Sequence, residues 1–257
     1  MKFRSMICVC ALAASAAMAT DVTGLTSATL GWIKVNSSAT NTIIAVPWLN
    51  VGGGNVEVAK LVKTDTLTTG DWLYWYNGSN NYYAWQLTET AGVKTWTPTG
   101  TVTEGMTFTA PDATFGLAKG QALFIQRSDT TKDIYLYGQH TNLDVSVSVV
   151  QGSDSTPAYT LIANPRTVEV DLNSSAAVTM TGTPNAEDKI LVPGTDGAIS
   201  KEYTYANGAW GYNTKTTIRV GNKDINKLTR TTTNVTLPVG RGVWYVSKGG
   251  SPTFTFK

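Results

Sequence analysis

The chain reads as if it had been written twice. "TIIAVPW" from Thr42 to Trp48 and "TLIANPR" from Thr160 to Arg166 share the pattern T-x-I-A-x-P. "GLAKGQALFIQR" (Gly116 to Arg127) and "TLPVGRGVWYVSK" (Thr236 to Lys248) share L-x-x-G, then a small residue and an apolar, aromatic run. The spacing agrees, with 73 positions from Pro47 to Gly120 and 75 from Pro165 to Gly240. A third anchor falls between these two: Asp71 to Trp96 spans 25 positions and Asp188 to Trp210 spans 22. Three anchors recurring in one order predict two like modules, at 40–140 and 157–257. Residues 20–39 then lead into the first module and 141–156 connect the two.

Within each module the signals are for strands. "YTYANGAWGY" sets Asn207-Gly208 between alternating aromatics, the pairing a type I′ hairpin turn favours because both central residues need positive φ. Asn77-Gly78 and Asp196-Gly197 carry the same signal. "ALFIQR", "DIYLYG", "GVWYVS" and "PTFTFK" are short β-branched or aromatic runs closed by Gly, Pro or charge. Only "NVEVAKLVK", with Val58, Leu61 and Val62 on one side, suits a helix, and it is short. The expected fold is all-β: two homologous β-sandwich or barrel-like modules in tandem.

The first nineteen residues, "MKFRSMICVCALAASAAMA", look like a cleaved export signal. Lys2 and Arg4 give a positive start, Met6 to Ala17 an apolar stretch too short for a bilayer, and Ala17-Met18-Ala19 a small-x-small cleavage site. Cleavage would leave 238 of the 257 residues, beginning at Thr20, with no transmembrane segment in the mature chain. Cys8 and Cys10 leave with the signal, so the exported chain has no disulfide and rests on core packing alone. The 20 basic and 18 acidic residues become 18 of each once Lys2 and Arg4 are removed. A balance near zero offers no electrostatic footprint for nucleic acid. The expected destination is the extracellular space or cell surface, the periplasm being the other compartment the signal allows.

The strand opening "IANP" or "IAVP", the internal Trp and the closing L-x-x-G-x-G-x-W-Y resemble a loosely defined β-repeat of bacterial secreted and cell-surface proteins. Its copies open like "WNLISLP" and close like "LxPGxGYW". The likeness spans both units, roughly Thr42 to Lys257; the first departs from it with "GQALF" in place of Gly-aromatic-Trp. The resemblance implies extracellular β-modules and no particular activity.

Candidates for catalysis are few. His140 is the single histidine, and no G-x-S-x-G accompanies it. Asp71, Glu89 and Asp188 could serve a polysaccharide-degrading enzyme only if a pair faced each other across a groove. The equivalent repeat positions of Asp71 and Asp188 favour one structural role held twice, such as accepting turn N–H bonds. No D-x-D-x-D-G, P-loop or dinucleotide pattern occurs, and neither cofactor nor metal is expected.

The remaining feature is "GDWLYWYNGSNNYYAWQL", residues 70–87, with seven aromatics and one charge. Strand alternation places Trp72, Tyr74 and Tyr76 on one face and Leu73 and Trp75 on the other. After the Asn77-Gly78 turn, Tyr83 and Trp85 are expected within reach of them. Trp72, Tyr74, Tyr76, Tyr83 and Trp85 are thus the candidate ligand-stacking set. The matching stretch of the second unit, "DKILVPGTDG", is aliphatic, which favours packing between strands and modules over a duplicated sugar platform. The C-terminal "SPTFTFK" also admits an outer-membrane barrel, although most runs are shorter than the 9–11 residues such strands need. The expectation is a non-enzymatic structural or adhesive protein, with other proteins or surface glycans as partners. A carbohydrate-binding module, a barrel and a polysaccharide-degrading enzyme are the alternatives.

Overall fold

A computed structural model describes residues 29–36, 40–47, 54–76, 81–103, 106–140, 144–194, 198–220 and 223–257. The first nineteen residues, expected to be an export signal and holding both cysteines, and the turns expected at Asn77-Gly78 and Asp196-Gly197 lie outside the described residues. The chain begins with β1 (Thr29–Val35), β2 (Asn41–Ala45) and β3 (Val56–Glu57), then one helical turn, α1 (Val58–Leu61). β4 (Trp72–Tyr76), β5 (Asn81–Thr90) and β6 (Val93–Thr99) follow as antiparallel neighbours. β7 (Thr101–Thr103), β8 (Met106–Thr109), β9 (Gly116–Leu117), β10 (Ala122–Gln126) and β11 (Ile134–His140) complete the first half.

The second half opens with β12 (Val145–Ser148), β13 (Ala158–Ala163), β14 (Val170–Asp171), β15 (Val178–Thr181) and β16 (Lys189–Pro193). Next come β17 (Ile199–Ala206), β18 (Ala209–Val220) and β19 (Lys223–Thr232). β20 (Thr236–Leu237), β21 (Gly242–Ser247) and β22 (Thr253–Phe256) close it. The chain is therefore nearly all β. The "NVEVAKLVK" segment yields only the four-residue α1, which buries Val58 and Leu61.

In the first half a sheet runs β2-β10-β4-β5-β8-β7, with β6 on the other part of β5. In the second the order is β13-β21-β16-β17-β18-β19; the first four strands of each follow one pattern, after which the first half continues through the parallel β5–β8 pair and the second through antiparallel hairpins. Small sheets flank them: β1 pairs with β11 and β3 with β9 in the first half, β12 with β22 and β14 with β20 in the second. β1 and β12 fall in the stretches expected to lead into and join the modules, and each pairs with the last strand of its half. None of these sheets closes on itself. Several open sheets form, and among the described residues no barrel closes, neither the barrel-like module expected nor the closed ring that the outer-membrane alternative needs.

Strand alternation explains the cores. In the first half Ile44, Leu73, Trp85, Leu87, Leu123 and Ile125 turn inward against Ile33, Val35, Leu136 and the α1 side chains. In the second, Ile162, Ile190, Tyr203, Trp210, Val243 and Tyr245 meet Phe254 and Phe256 from β22. Trp96 and Trp210 are both buried, and Trp96 donates its indole N–H to the Val62 carbonyl at 3.0 Å. Asn207 and Gly208 have φ of 53° and 78°, the left-handed pair the "NG" signal called for.

Each half also buries one aspartate in the same way. Asp71 accepts N–H bonds from Thr68 (2.9 Å) and Ser128 (2.8 Å), with the Ser128 hydroxyl at 2.9 Å. Asp188 accepts them from Asn185 (2.8 Å) and Lys248 (2.6 Å), with the Tyr245 hydroxyl at 2.7 Å. The backbone donors in each case are the residue three positions earlier and a residue one or two positions past β10 or β21. A buried carboxylate survives only if such donors replace its water. Burial and the adjoining Asp188 carboxylate push the Tyr245 phenol far above its ordinary range.

The halves meet at a seam of small residues. Ala45 donates its N–H to the Gly240 carbonyl at 2.9 Å, and Ala163 donates to the Gly120 carbonyl at 3.2 Å. Each bond runs from an I-A segment of one half to the glycine turn of the other. Ile43, Ala45 and Ala122 pack there on Leu161 and Ala163, flanked by Tyr76, Phe124 and Trp244.

Candidate functional site

The aromatic stretch forms β4 and β5, and their register decides what it can do. Leu73 lies opposite Trp85, Trp75 opposite Tyr83, Tyr74 opposite Ala84 and Tyr76 opposite Tyr82. Side chains opposite one another share a face, so the expected set of five divides. Trp72, Tyr74 and Tyr76 occupy the outer face, half-buried. Tyr83 and Trp85 do not join them; both point into the first-half core, where Trp85 is 0% exposed. There Tyr83 stands edge-on to Phe115 at 4.9 Å, and Trp75 and Trp85 pack on the same ring at 5.3 and 5.9 Å. The correction follows from the β4–β5 register, since a shift of one residue exchanges the faces of a strand.

The outer face gains rings the sequence reading left out. Trp72 and Tyr74 lie nearly parallel, 5.8 Å apart with 8° between planes. Phe108, delivered by the parallel β8–β5 pair, touches Tyr74 (5.2 Å) and Tyr82 (5.6 Å). Tyr82 touches Tyr76 (5.2 Å), and Tyr76 meets Trp244 of the other half edge-on at 5.6 Å and 80°. Trp244 then meets Phe124 (5.2 Å) and, at 6.0 Å and 83°, Tyr159. The rail of rings crosses the seam. Tyr82 was legible as an aromatic of the stretch, whereas Phe108, Phe124, Tyr159 and Trp244 arrive through long-range pairings that no local pattern announces. Tyr74 donates to Gln126 Oε1 at 3.0 Å, and burial pushes its phenol up to about 12.

Where the rail reaches the seam, a groove of about 710 Å³ opens between the halves. Tyr76 and the turn residues Lys119 and Gln121 supply its first-half wall; Ser146, Tyr159 and Thr160 are on the second-half wall. Tyr159 is 44% exposed. Lys119 is only 7% exposed, and burial, then the nearby Arg166 guanidinium, hold its ammonium down to about 8. Arg166 is itself buried, donates to the Phe256 carbonyl at 2.9 Å and lies 3.4 Å from the exposed Asp144 carboxylate.

The carboxylates weighed for hydrolysis sit elsewhere. Asp71 and Asp188 are enclosed in separate halves with their donors, and the exposed Glu89 accepts the Thr69 hydroxyl at 2.9 Å. No cluster of three His, Cys, Asp or Glu suited to a metal occurs among the described residues. The His140 backbone pairs with Thr29; its ring lies outside the described residues. No helix among them is long and apolar enough to cross a membrane. Comparison with protein-family models, curated proteins and solved structures finds no match to the chain.

Proposed function

We propose that the chain is an exported, non-enzymatic binding or adhesive protein built from two copies of one β-module, acting at the cell surface or in the extracellular space. The observation that carries this reading is the exchange of equivalent contacts at the seam, Ala45 to Gly240 and Ala163 to Gly120. It accompanies a like order of the first four strands in each main sheet, β2-β10-β4-β5 and β13-β21-β16-β17, and a like use of Asp71 and Asp188. Copies of one fold locked together make a rigid body whose open groove and ring rail can hold a partner. The acids best placed by sequence serve the scaffold. The likeness to the bacterial surface β-repeat, and the signal-like first nineteen residues, agree with that role.

Expression of the full chain with a C-terminal tag in a bacterial host, followed by fractionation and intact-mass measurement, tests the destination. Material starting at Thr20 outside the cytoplasm is expected. Full-length cytoplasmic protein would overturn the export reading. A carbohydrate-binding module is the second reading, favoured by the near-parallel Trp72 and Tyr74 rings on the outer face. Glycan-array binding lost in a folded Trp72→Ala variant would place the ligand on those rings.

A further inference from the structure

We propose that the β18–β19 ribbon is a docking arm for an acidic polysaccharide, a linear glycan bearing carboxylates, held through Lys215, Arg219 and Lys227. This names a partner for the adhesive role and rests on that reading for the choice of an extracellular polyanion. The ribbon leaves the body of the protein at a defined point. β17 pairs with β18 only as far as Gly211, opposite Thr204, whereas β18 and β19 stay paired on to Val220 and Lys223. Beyond Gly211 the two strands have only each other, and each keeps one open edge. Tyr212 to Thr217 are exposed without a break. Neighbours along a strand point to opposite faces, so neither face of this stretch is covered. Leu228 on β19, 68% exposed, agrees.

The arm is fastened at its root. Trp210 is buried, and Arg230 donates to the Thr204 hydroxyl at 2.9 Å, the Thr204 carbonyl at 2.7 Å and the Ala209 carbonyl at 3.0 Å. Two strands alone are marginal in water; this root ties the pair to the larger sheet.

Charge is segregated onto the arm. Residues 209–232 hold Lys215, Arg219, Lys223, Lys227 and Arg230 against one acid, Asp224. The balance near zero over residues 20–257 thus leaves 13 basic and 17 acidic residues in the remainder. Every ion pair among the described residues lies outside the ribbon. Lys215 and Lys227 are exposed and meet no carboxylate among those residues; Arg219, also exposed, lies opposite Asp224 in register. Lysines on open edges keep identical strands from pairing, which disfavours a second copy as the occupant.

Spacing and chemistry select the polyanion. Lys215 and Arg219 share a face four residues apart, about 14 Å at the rise of a strand, and Lys227 is on the other face. Duplex DNA carries a charge about every 1.7 Å, far denser than these cations. Single-stranded nucleic acid is bound on aromatic platforms, and Tyr212 is the arm's single aromatic residue. Between the cations stand amides and hydroxyls, among them Asn213, Thr214, Thr216 and Thr229, all exposed. Sparse positive charge with hydrogen-bonding groups between complements a glycan whose carboxylates are separated by hydroxyls.

The test is titration of the mature full-length protein with polygalacturonate, neutral amylose and duplex DNA, at low salt and at tenfold higher salt. Saturable polygalacturonate binding, at least tenfold tighter than either alternative and weakened by salt, is expected. Lys215→Gln with Lys227→Gln should lower that affinity at least tenfold, and Lys215→Arg with Lys227→Arg should keep it. Lys60→Gln with Lys63→Gln, on exposed lysines of the first half, should change it less than twofold. Thermal melts establish that every variant is folded. No saturable polygalacturonate binding, amylose or DNA bound as tightly, or unchanged affinity in the Lys215→Gln and Lys227→Gln protein would overturn the proposal. Failure here leaves the processing and fractionation result standing, so the two readings fall separately.

Discussion

Gly240 offers the sharpest test of the seam. Its φ is +73°, and an added Cβ would lie 2.6 Å from Val35 Cγ2 and 3.0 Å from Ile33 Cγ2, side chains of the other half. Gly120, its counterpart, has φ +92° and would bring a Cβ 2.8 Å from Val145 Cγ1 and 3.0 Å from Val147 Cγ2. Gly208, in the β17–β18 turn, has φ +78° with nothing within 4 Å. All three alanine variants incur the left-handed backbone cost, about 1–2 kcal/mol. Gly240→Ala and Gly120→Ala add overpacking of a filled site, about 1–3 kcal/mol. The expected losses are therefore about 1–2 kcal/mol for Gly208→Ala and about 2–5 kcal/mol for the seam pair. Urea unfolding measures each, and a melting temperature should fall by about 2–4 °C per kcal/mol at this chain size. Val35→Ala in the Gly240→Ala background should recover part of the loss, because the two residues compete for one space. A Gly240→Ala variant no less stable than Gly208→Ala would refute the packing of the halves through this turn.

The buried aspartates and the seam lysine make two further predictions. Asp71→Ala and Asp188→Ala each strand turn N–H donors inside the protein and should cost about 3 kcal/mol or more, read as a lowered urea midpoint; a loss below about 1 kcal/mol in either would deny the shared structural role. Lys119 is held down to about 8 by burial, whereas the unfolded chain titrates near 10.4. Between those values the unfolded state carries the extra proton, so stability should rise as pH climbs from 8 toward 10. The raised Tyr245 phenol acts oppositely, its contribution being lost above about pH 10, where the unfolded tyrosine ionises. Melting temperature against pH should climb and then fall, and Lys119→Met should abolish the climb; a wild-type profile flat from pH 8 to 10 would count against a desolvated Lys119.

Local chemistry announced much of this structure. Asn207-Gly208 announced a turn because few pairs accept two positive φ values, and the aligned Asp71 and Asp188 both accept turn N–H bonds. Alternation assigned Trp72, Tyr74 and Tyr76 to one face correctly. It could not place Tyr83 and Trp85, because crossing from β4 to β5 requires the register, and a slip of one residue exchanges the faces of a strand. The site was harder still. Trp244 sits in a run that reads as ordinary strand, and only the meeting of the two halves brings it between Tyr76 and Tyr159. β1 and β12 were also hard to see, since each finds its partner at the far end of its half.

The seam and the groove are two consequences of one contact. The Gly120 turn packs beneath Val145 and Val147, and the same turn carries Lys119 and Gln121 into the groove wall. The Gly240 turn makes the equivalent contact with Ile33 and Val35 but contributes no groove residue. The two joints are thus alike in backbone while their side chains differ. Small residues at Ala45, Ala122 and Ala163 let the sheets approach closely, and the larger Tyr76, Phe124 and Trp244 pack against that cluster. An opening arises where one kind gives way to the other. On this account Gly120→Ala and Gly240→Ala should lose similar stability, read as similar falls in the urea midpoint.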